Sequence, residues 1–318
     1  MKLYPLKFKP IYQQRIWGGT ALKDYFGKDI PAGVKIGESW ELADLPGARS
    51  EVINGPLAGK TIDQVLALYP KQITGLSDYK PPFPLLIKLL DAQDVLSLQV
   101  HPDLNTCRKT GKGDPKTECW YMIDVKEGAC IYKCLKPGTT PEQFRAAIED
   151  GTCADYLEKV AVKPGECHFL PSGTVHAIGA GLLIAEIQQP SDTTYRVFDW
   201  NRIDETTGKG RQLHVEDALE SIHFDSSGDN LTVEDTGRLV DAPEFKVDKG
   251  HRAKNNQVLI DAGVMRVIVT ITGGGIIEPA DSDIETFTFK RGDTFLIPAS
   301  FTGSMTLKQD TQYLIVTL

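Results

Sequence analysis

Two periodicities alternate along this chain. Short runs in which apolar and polar residues take turns mark strands, whose side chains point to opposite faces. A few stretches of period 3.6 mark helices. The run Leu85-Leu86-Ile87-Lys88-Leu89-Leu90 is apolar except for one lysine, and Ser97-Leu98-Gln99-Val100-His101-Pro102-Asp103 follows it closely. Extended, this second stretch puts Leu96, Leu98 and Val100 on one face and Ser97, Gln99 and His101 on the other. A row of Ser, Gln and His makes a poor core strand but a good wall for a polar or metal-bearing cavity.

Helix signals are few. Thr61-Ile62-Asp63-Gln64 has the form of a capping box and predicts a short helix through about residue 68, stopped by Pro70. Thr140-Pro141-Glu142-Gln143 is a second start, with Phe144, Ala147 and Ile148 on one stripe and Gly151 as the stop. Over 214–222, Val215, Ala218, Leu219 and Ile222 share a helical face. Elsewhere the pattern is β. Glu38-Ser39-Trp40-Glu41-Leu42-Ala43 reads as a strand with alternate polar positions, 120–135 as strands about a turn at Glu127-Gly128, and 160–200 and 258–318 as short apolar runs cut by Pro and Gly. The first eighty residues read as strands and turns, with a close backbone approach at Arg15-Ile16-Trp17-Gly18-Gly19.

The chain also echoes itself. Gly165-Glu166-Cys167-His168-Phe169-Leu170-Pro171 and Gly292-Asp293-Thr294-Phe295-Leu296-Ile297-Pro298 share a glycine, an acidic residue, a strand and a proline. Aligning them puts His176 on Gly303, so the second copy keeps the strand and turn and loses the histidine. The expected fold is mainly β: two jelly-roll barrels with a few short helices, the second lacking the histidine. The expected domains are a catalytic metal-binding region over 1–225, a connecting segment over 226–240 and a degenerate C-terminal barrel over 241–318.

Composition narrows the function classes. The 318 residues suffice for one large domain or two modest ones, and 41% hydrophobic with 25% charged is ordinary for a globular protein. A net charge of −8 argues against a nucleic-acid or anionic-membrane surface, so an anionic substrate needs a local basic cluster. No apolar run reaches the roughly 20 residues that span a bilayer, and Met1-Lys2-Leu3-Tyr4-Pro5 lacks a signal-peptide core. The expected location is cytoplasmic. All six cysteines lie between Cys107 and Cys167, none in a CxxC pair, which reads as reduced thiols.

His101, Glu118 and His176, with Gln99 as a further donor, offer nitrogen and oxygen ligands of the kind a divalent transition metal takes. Several positions have competing readings. Glu186 is an active-site acid or a surface carboxylate, and Arg196 with Asp199 is a functional group or a surface ion pair. Lys88 is an edge-strand lysine or a cavity residue, and Trp17 is core or a platform for a sugar ring. No Gly-rich phosphate loop is present.

The stretch from Gly165 to His176 resembles the second motif of the cupin superfamily. The wider set, Gln99 to Asp103, Lys116-Thr117-Glu118, Gly173 to Ile178, Glu186 to Gln189 and Tyr195-Arg196-Val197, resembles the type I mannose-6-phosphate isomerases, in their short bacterial branch. That resemblance implies interconversion of mannose 6-phosphate and fructose 6-phosphate through a cis-enediolate, with one zinc per chain, other divalent metals being alternatives. It implies His101, Glu118 and His176 as metal ligands, joined by Gln99 as in longer members. It implies Arg196, Glu186 and Lys116 as catalytic residues. Trp17, Lys88 and Arg202 are candidates for substrate contact, Arg202 at a position where the longer branch carries a basic residue. The rival readings are a cupin acting on an unphosphorylated aldose, an iron-dependent dioxygenase, and a sugar-binding cupin without turnover. The partner expected is a small sugar phosphate, with oligomeric state left open.

Overall fold

The computed structural model describes residues 1–203, 208–226 and 231–318. Four β-layers are stacked on one another. A five-stranded sheet contains Leu157–Ala161, Cys130–Leu135, His176–Ile178, Leu98–Val100 and Tyr195–Phe198, in that order. Behind it is a seven-stranded sheet, Leu231–Val233, Glu166–Leu170, Glu118–Val125, Leu182–Gln188, Leu86–Ala92, Glu38–Leu42 and Ile11–Gln13. A six-stranded sheet and a four-stranded sheet, built mostly from residues 237–317, complete the stack.

The layers are set by which faces are apolar. In the Leu86–Ala92 strand, Ile87 and Leu89 pack towards the six-stranded sheet, against a core that includes Val267, Val269, Leu314 and Val316. Leu90 and Ala92 face the other way, towards Trp120, Ile131, Ile178 and Ile184. The strand is therefore buried on both faces, which explains its almost unbroken apolar run. The helices Pro141–Asp150 and Val215–Ser221 cover the outside of the five-stranded sheet through Phe144, Ala147, Ile148 and Ala218. Both expected caps form: Thr140 and Gln143 make a capping box, as do Thr61 and Gln64 at the Ile62–Leu68 helix. Pro70 does more than stop that helix. It opens another, Pro70–Thr74, because proline at a first turn loses no hydrogen bond. The helix Ala21–Phe26 is an addition to the strands and turns expected there.

The internal echo is structural. Gly165 and Gly292 both have positive φ, 91° and 84°, and both donate to a carbonyl of the neighbouring strand at 2.8 Å, Met122 O and Thr270 O. Leu170 pairs with Glu118, and its counterpart Ile297 pairs with Arg266. The second sandwich thus carries an arginine in the register of Glu118, and Phe287, Phe289, Phe295 and Phe301 fill its interior.

Strands cross between the halves. Leu6–Lys7 joins the six-stranded sheet beside Thr294–Ile297, while Leu231–Val233 joins the seven-stranded sheet beside Glu166–Leu170. Of the segment 226–240 expected to connect two domains, 227–230 lie outside the described residues. Among the described residues no helix is long and apolar enough to cross a membrane. All six cysteines are free thiols.

The inter-sheet core makes a direct prediction. Leu89→Ala, at a fully buried position, should lower unfolding free energy by about 2–5 kcal/mol in urea titration. A loss below about 1 kcal/mol would mean the two large sheets do not depend on that contact.

Candidate active site

Strand register lines up a row of charged groups. Lys88 lies opposite Glu186, and Glu186 opposite Trp120, across three adjacent strands of the seven-stranded sheet. Lys88 Nζ is 2.9 Å from Glu186 Oε1, and Trp120 Nε1 donates to Glu186 Oε2 at 3.1 Å. Glu38, one strand further, accepts from Arg15 Nε at 2.8 Å and from Trp40 Nε1 at 2.7 Å. Burial alone would push the Lys88 ammonium towards neutrality; Glu186 and Glu38 outweigh it and raise its pKa. Burial likewise works against ionised Glu38, but Lys88 and Arg15 hold its carboxyl below the usual range. Lys88 is therefore a cavity residue, in the middle of the sheet rather than at its edge, and Glu186 is buried rather than a surface carboxylate.

The facing sheet supplies the second row. His176 lies opposite Gln99, and Gln99 opposite Arg196. His176 Nδ1 bonds the Thr174 carbonyl at 2.9 Å and His101 Nδ1 the Thr193 carbonyl at 2.8 Å. A carbonyl accepts only, so both Nδ1 atoms carry the proton and both Nε2 lone pairs point inward. Glu118 Oε1 is 3.4 Å from His176 Nε2, and Oε2 is 3.6 Å from His101 Nε2. Burial, first of all, pulls both imidazole pKa values down, well down at His101, so both rings are neutral. At Glu118 burial opposes ionisation, yet the Lys116 ammonium outweighs it and lowers the pKa.

Those residues fit a divalent cation. Three donor atoms with free lone pairs lie within 4.8 Å of one another, and both histidines are anchored through their outer nitrogen, as metal-binding imidazoles are. Neither Glu118 oxygen accepts a hydrogen bond, although both are buried. Lys116 Nζ approaches Oε2 to 2.9 Å, but outside hydrogen-bonding angles, and it meets His101 Nε2 at 3.1 Å. The Gln99 amide nitrogen is placed 3.3 Å from His176 Nε2; the reversed amide would present its oxygen instead.

Between the two rows is a cavity of about 380 Å³ whose wall includes Trp17, Lys88, Gln99, Lys116, Glu186 and Arg196. That is a usual size for a small-molecule site. Trp17 is buried against Leu90 and Leu96 and also lines the cavity. Its turn admits only glycine next: a Cβ on Gly18 would stand 2.5 Å from Gly37 N.

A family model described as the catalytic domain of type I phosphomannose isomerase matches residues 5–127. The chain is 38% identical over 307 residues to mannose-6-phosphate isomerase ManA of Bacillus subtilis, covering 94% of each chain. The chain belongs to the type I mannose-6-phosphate isomerase family. A second B. subtilis isomerase of the family, the probable mannose-6-phosphate isomerase GmuF, is 47% identical over 220 residues, 69% of this chain and 68% of that one. The crystal structure of the B. subtilis mannose 6-phosphate isomerase superposes with a TM-score of 0.87 at 31% identity, covering 99% of both chains. Type I isomerases are metal-dependent, in agreement with the lone pairs that converge here.

The isomerase cavity also contains residues the sequence did not single out. Arg211 lines it from a polar stretch that has no periodic signal, and Asp192 and Thr194 come from a loop. Glu38 and Arg15 were visible only as parts of a strand and a turn. Arg202 is not in the lining. It braces the chain behind the wall, through Nη1 to Val95 O at 2.6 Å and through Nη2 to Asp199. Arg196 does not pair with Asp199; its Nη1 donates to Gln212 O at 2.8 Å.

Adding a divalent ion to the chelator-stripped protein should raise its melting temperature, since an ion bound only by the folded state adds about 2.7 kcal/mol at a hundredfold excess over Kd. His176→Ala should abolish that increment; an unchanged increment would place the ion elsewhere.

Proposed function

We propose that this isomerase interconverts mannose 6-phosphate and fructose 6-phosphate through a cis-enediolate in the Glu186–Lys116 cavity, with zinc as its metal. The observation that carries the reading is that a buried His-Glu-His donor set and a buried carboxylate–ammonium pair face one another across a single cavity. Held by His101, Glu118 and His176, with Gln99 as an additional oxygen donor, a divalent cation would polarise the substrate carbonyl and stabilise negative charge on its oxygens. Zinc is favoured because imidazole nitrogen and carboxylate oxygen, the donors gathered here, are ligands it takes readily.

The chain's own groups divide the proton work. A base has to reach the carbon acid directly or through one water. Glu186 is the better candidate, as a carboxylate that opens on the cavity and is oriented by Lys88 and Trp120. Lys116, whose Nζ is 3.1 Å from His101 Nε2, is the complementary donor to a substrate oxygen. Arg196 stabilises the enediolate and orients the sugar. Lys88 orients Glu186 through its 2.9 Å contact, and Trp17 offers the ring face of its indole to the sugar.

We assign 1–225 to the catalytic unit, 226–240 to the connection and 241–318 to a supporting barrel, on the grounds that the donor set lies wholly in the first and an apolar interior fills the last. A cytoplasmic location belongs to the same reading: a phosphomonoester dianion does not cross a bilayer unaided, and six unpaired thiols suit a reducing compartment.

The test is a coupled assay on mannose 6-phosphate with chelator and zinc add-back, alongside exchange of the substrate C2 proton into solvent. Chelator should remove activity and zinc restore it. Glu186→Gln should cut kcat by about 10²–10⁴-fold and exchange with it, whereas Lys116→Met should reduce isomerisation more than exchange. If exchange survives Glu186→Gln and not Lys116→Met, the base is Lys116; if it survives both, neither residue is the base.

A further inference from the structure

One knot of charge beside the cavity is larger than the chemistry at the metal end requires. Asp199, just after the Tyr195–Phe198 strand, is nearly buried and is gripped by two arginines. Arg211 binds it through Nε at 2.7 Å and through Nη2. Arg202 reaches it through Nη2 and also holds its backbone carbonyl at 3.3 Å. Arg196 stands close enough to feel all three: burial first, and then Arg211, lower its pKa. Arg202 and Arg211 thus share Asp199 with Arg196 nearby, and Asp94 reaches Arg202 at 3.5 Å, a local basic cluster in a chain whose net charge is −8.

The donors are not all used. Arg196 Nε is buried with no hydrogen-bond partner. Arg211, a third exposed, is the member of the knot that lines the cavity along with Arg196, while Arg202 lies behind. Arg196 is two strands from His176, about 10 Å away. The unused Nε of Arg196 and the guanidinium of Arg211 thus line the cavity away from the metal donor set.

We propose that Arg211, fixed by Asp199, is the residue that grips the phosphate of the sugar substrate, with the Nε edge of Arg196 beside it, and that Arg202 is a positioning residue acting through Asp199. The proposal rests on the isomerase reading for the identity of the sugar, but not for the anion. A guanidinium recognises a phosphomonoester by charge-assisted, paired hydrogen bonds. It also gives Arg202, a candidate for substrate contact by resemblance, an indirect role behind the wall.

The experiment measures KM and kcat for mannose 6-phosphate and competitive inhibition by inorganic phosphate, in the wild type, Arg211→Gln, Arg211→Lys and Arg202→Gln, all zinc-loaded. Arg211→Gln should raise KM and the phosphate inhibition constant together by about tenfold or more, with kcat within about threefold. Arg211→Lys should recover part of the loss, and Arg202→Gln should shift KM less than Arg211→Gln does. Unchanged KM and inhibition in Arg211→Gln, or a larger effect from Arg202→Gln, would overturn the proposal. Melting temperature with and without phosphate supplies an arm independent of turnover. Phosphate should raise it in the wild type and not in Arg211→Gln; if Arg211→Gln does not fold, Arg211→Lys decides by the size of the same shift, and an undiminished shift rejects the proposal. Should the wild type fail to isomerise mannose 6-phosphate yet keep an Arg211-dependent phosphate shift, the isomerase reading falls and the anion cradle stands.

Discussion

The Lys88–Glu186 pair is the constraint on which the site depends, because it is held in a sheet buried on both faces. A lysine inside a strand between two apolar layers is tolerated only if its charge is met within a few ångströms, and removing one member of such a pair costs about 3–5 kcal/mol. Register meets that need. Lys88 and Glu186 are direct cross-strand partners, so a slip of one residue would turn the pair into the hydrophobic inter-sheet core. The apolar faces of Ile87, Leu89, Ala185 and Ile187 lock the register against that slip. The same side chains that stabilise the fold therefore aim the carboxylate.

The metal end is built on the complementary principle. Backbone carbonyls orient His101 and His176 from outside, and their inner nitrogens meet Lys116 and the Gln99 amide in the interior. Neutral imidazoles beside an ionised carboxylate are ready for a cation without first losing a proton. The cavity alternates charge along its length, with Glu118 and Glu186 among Lys88 and Lys116, and then the arginine knot at Asp199. An anionic sugar can therefore find counter-charge at one end while its reacting carbons meet carboxylate and metal at the other.

Duplication without function accounts for the second half. Its glycine, acidic residue and strand repeat those of the first, and Asp293 Oδ2 accepts from Lys290 N at 3.0 Å much as Glu166 Oε2 accepts from Lys163 N at 2.9 Å. With Arg266 in the register of Glu118 and Gly303 in place of His176, the interior could close around phenylalanines. What remains is an apolar body whose large sheet buries the outer face of the catalytic sheet.

Local chemistry is what the sequence by itself determined. Capping boxes and the period-two runs depend on neighbours a few residues apart, and each was legible; the Gly-acidic-strand-Pro echo and the His, Glu and His donors were legible as short local motifs set far apart. So was the family, through the order of its motifs. The tertiary structure decided what depends on contact across the sheets. It made Lys88 a cavity residue, gave Asp199 to Arg202 and Arg211 rather than Arg196, and brought Arg211 to the wall from a stretch without pattern. It also tied Leu6–Lys7 and Leu231–Val233 into the sheets of the opposite halves. Such choices turn on partners tens or hundreds of residues away, and a one-dimensional pattern shows that a charge must be met without saying by which residue.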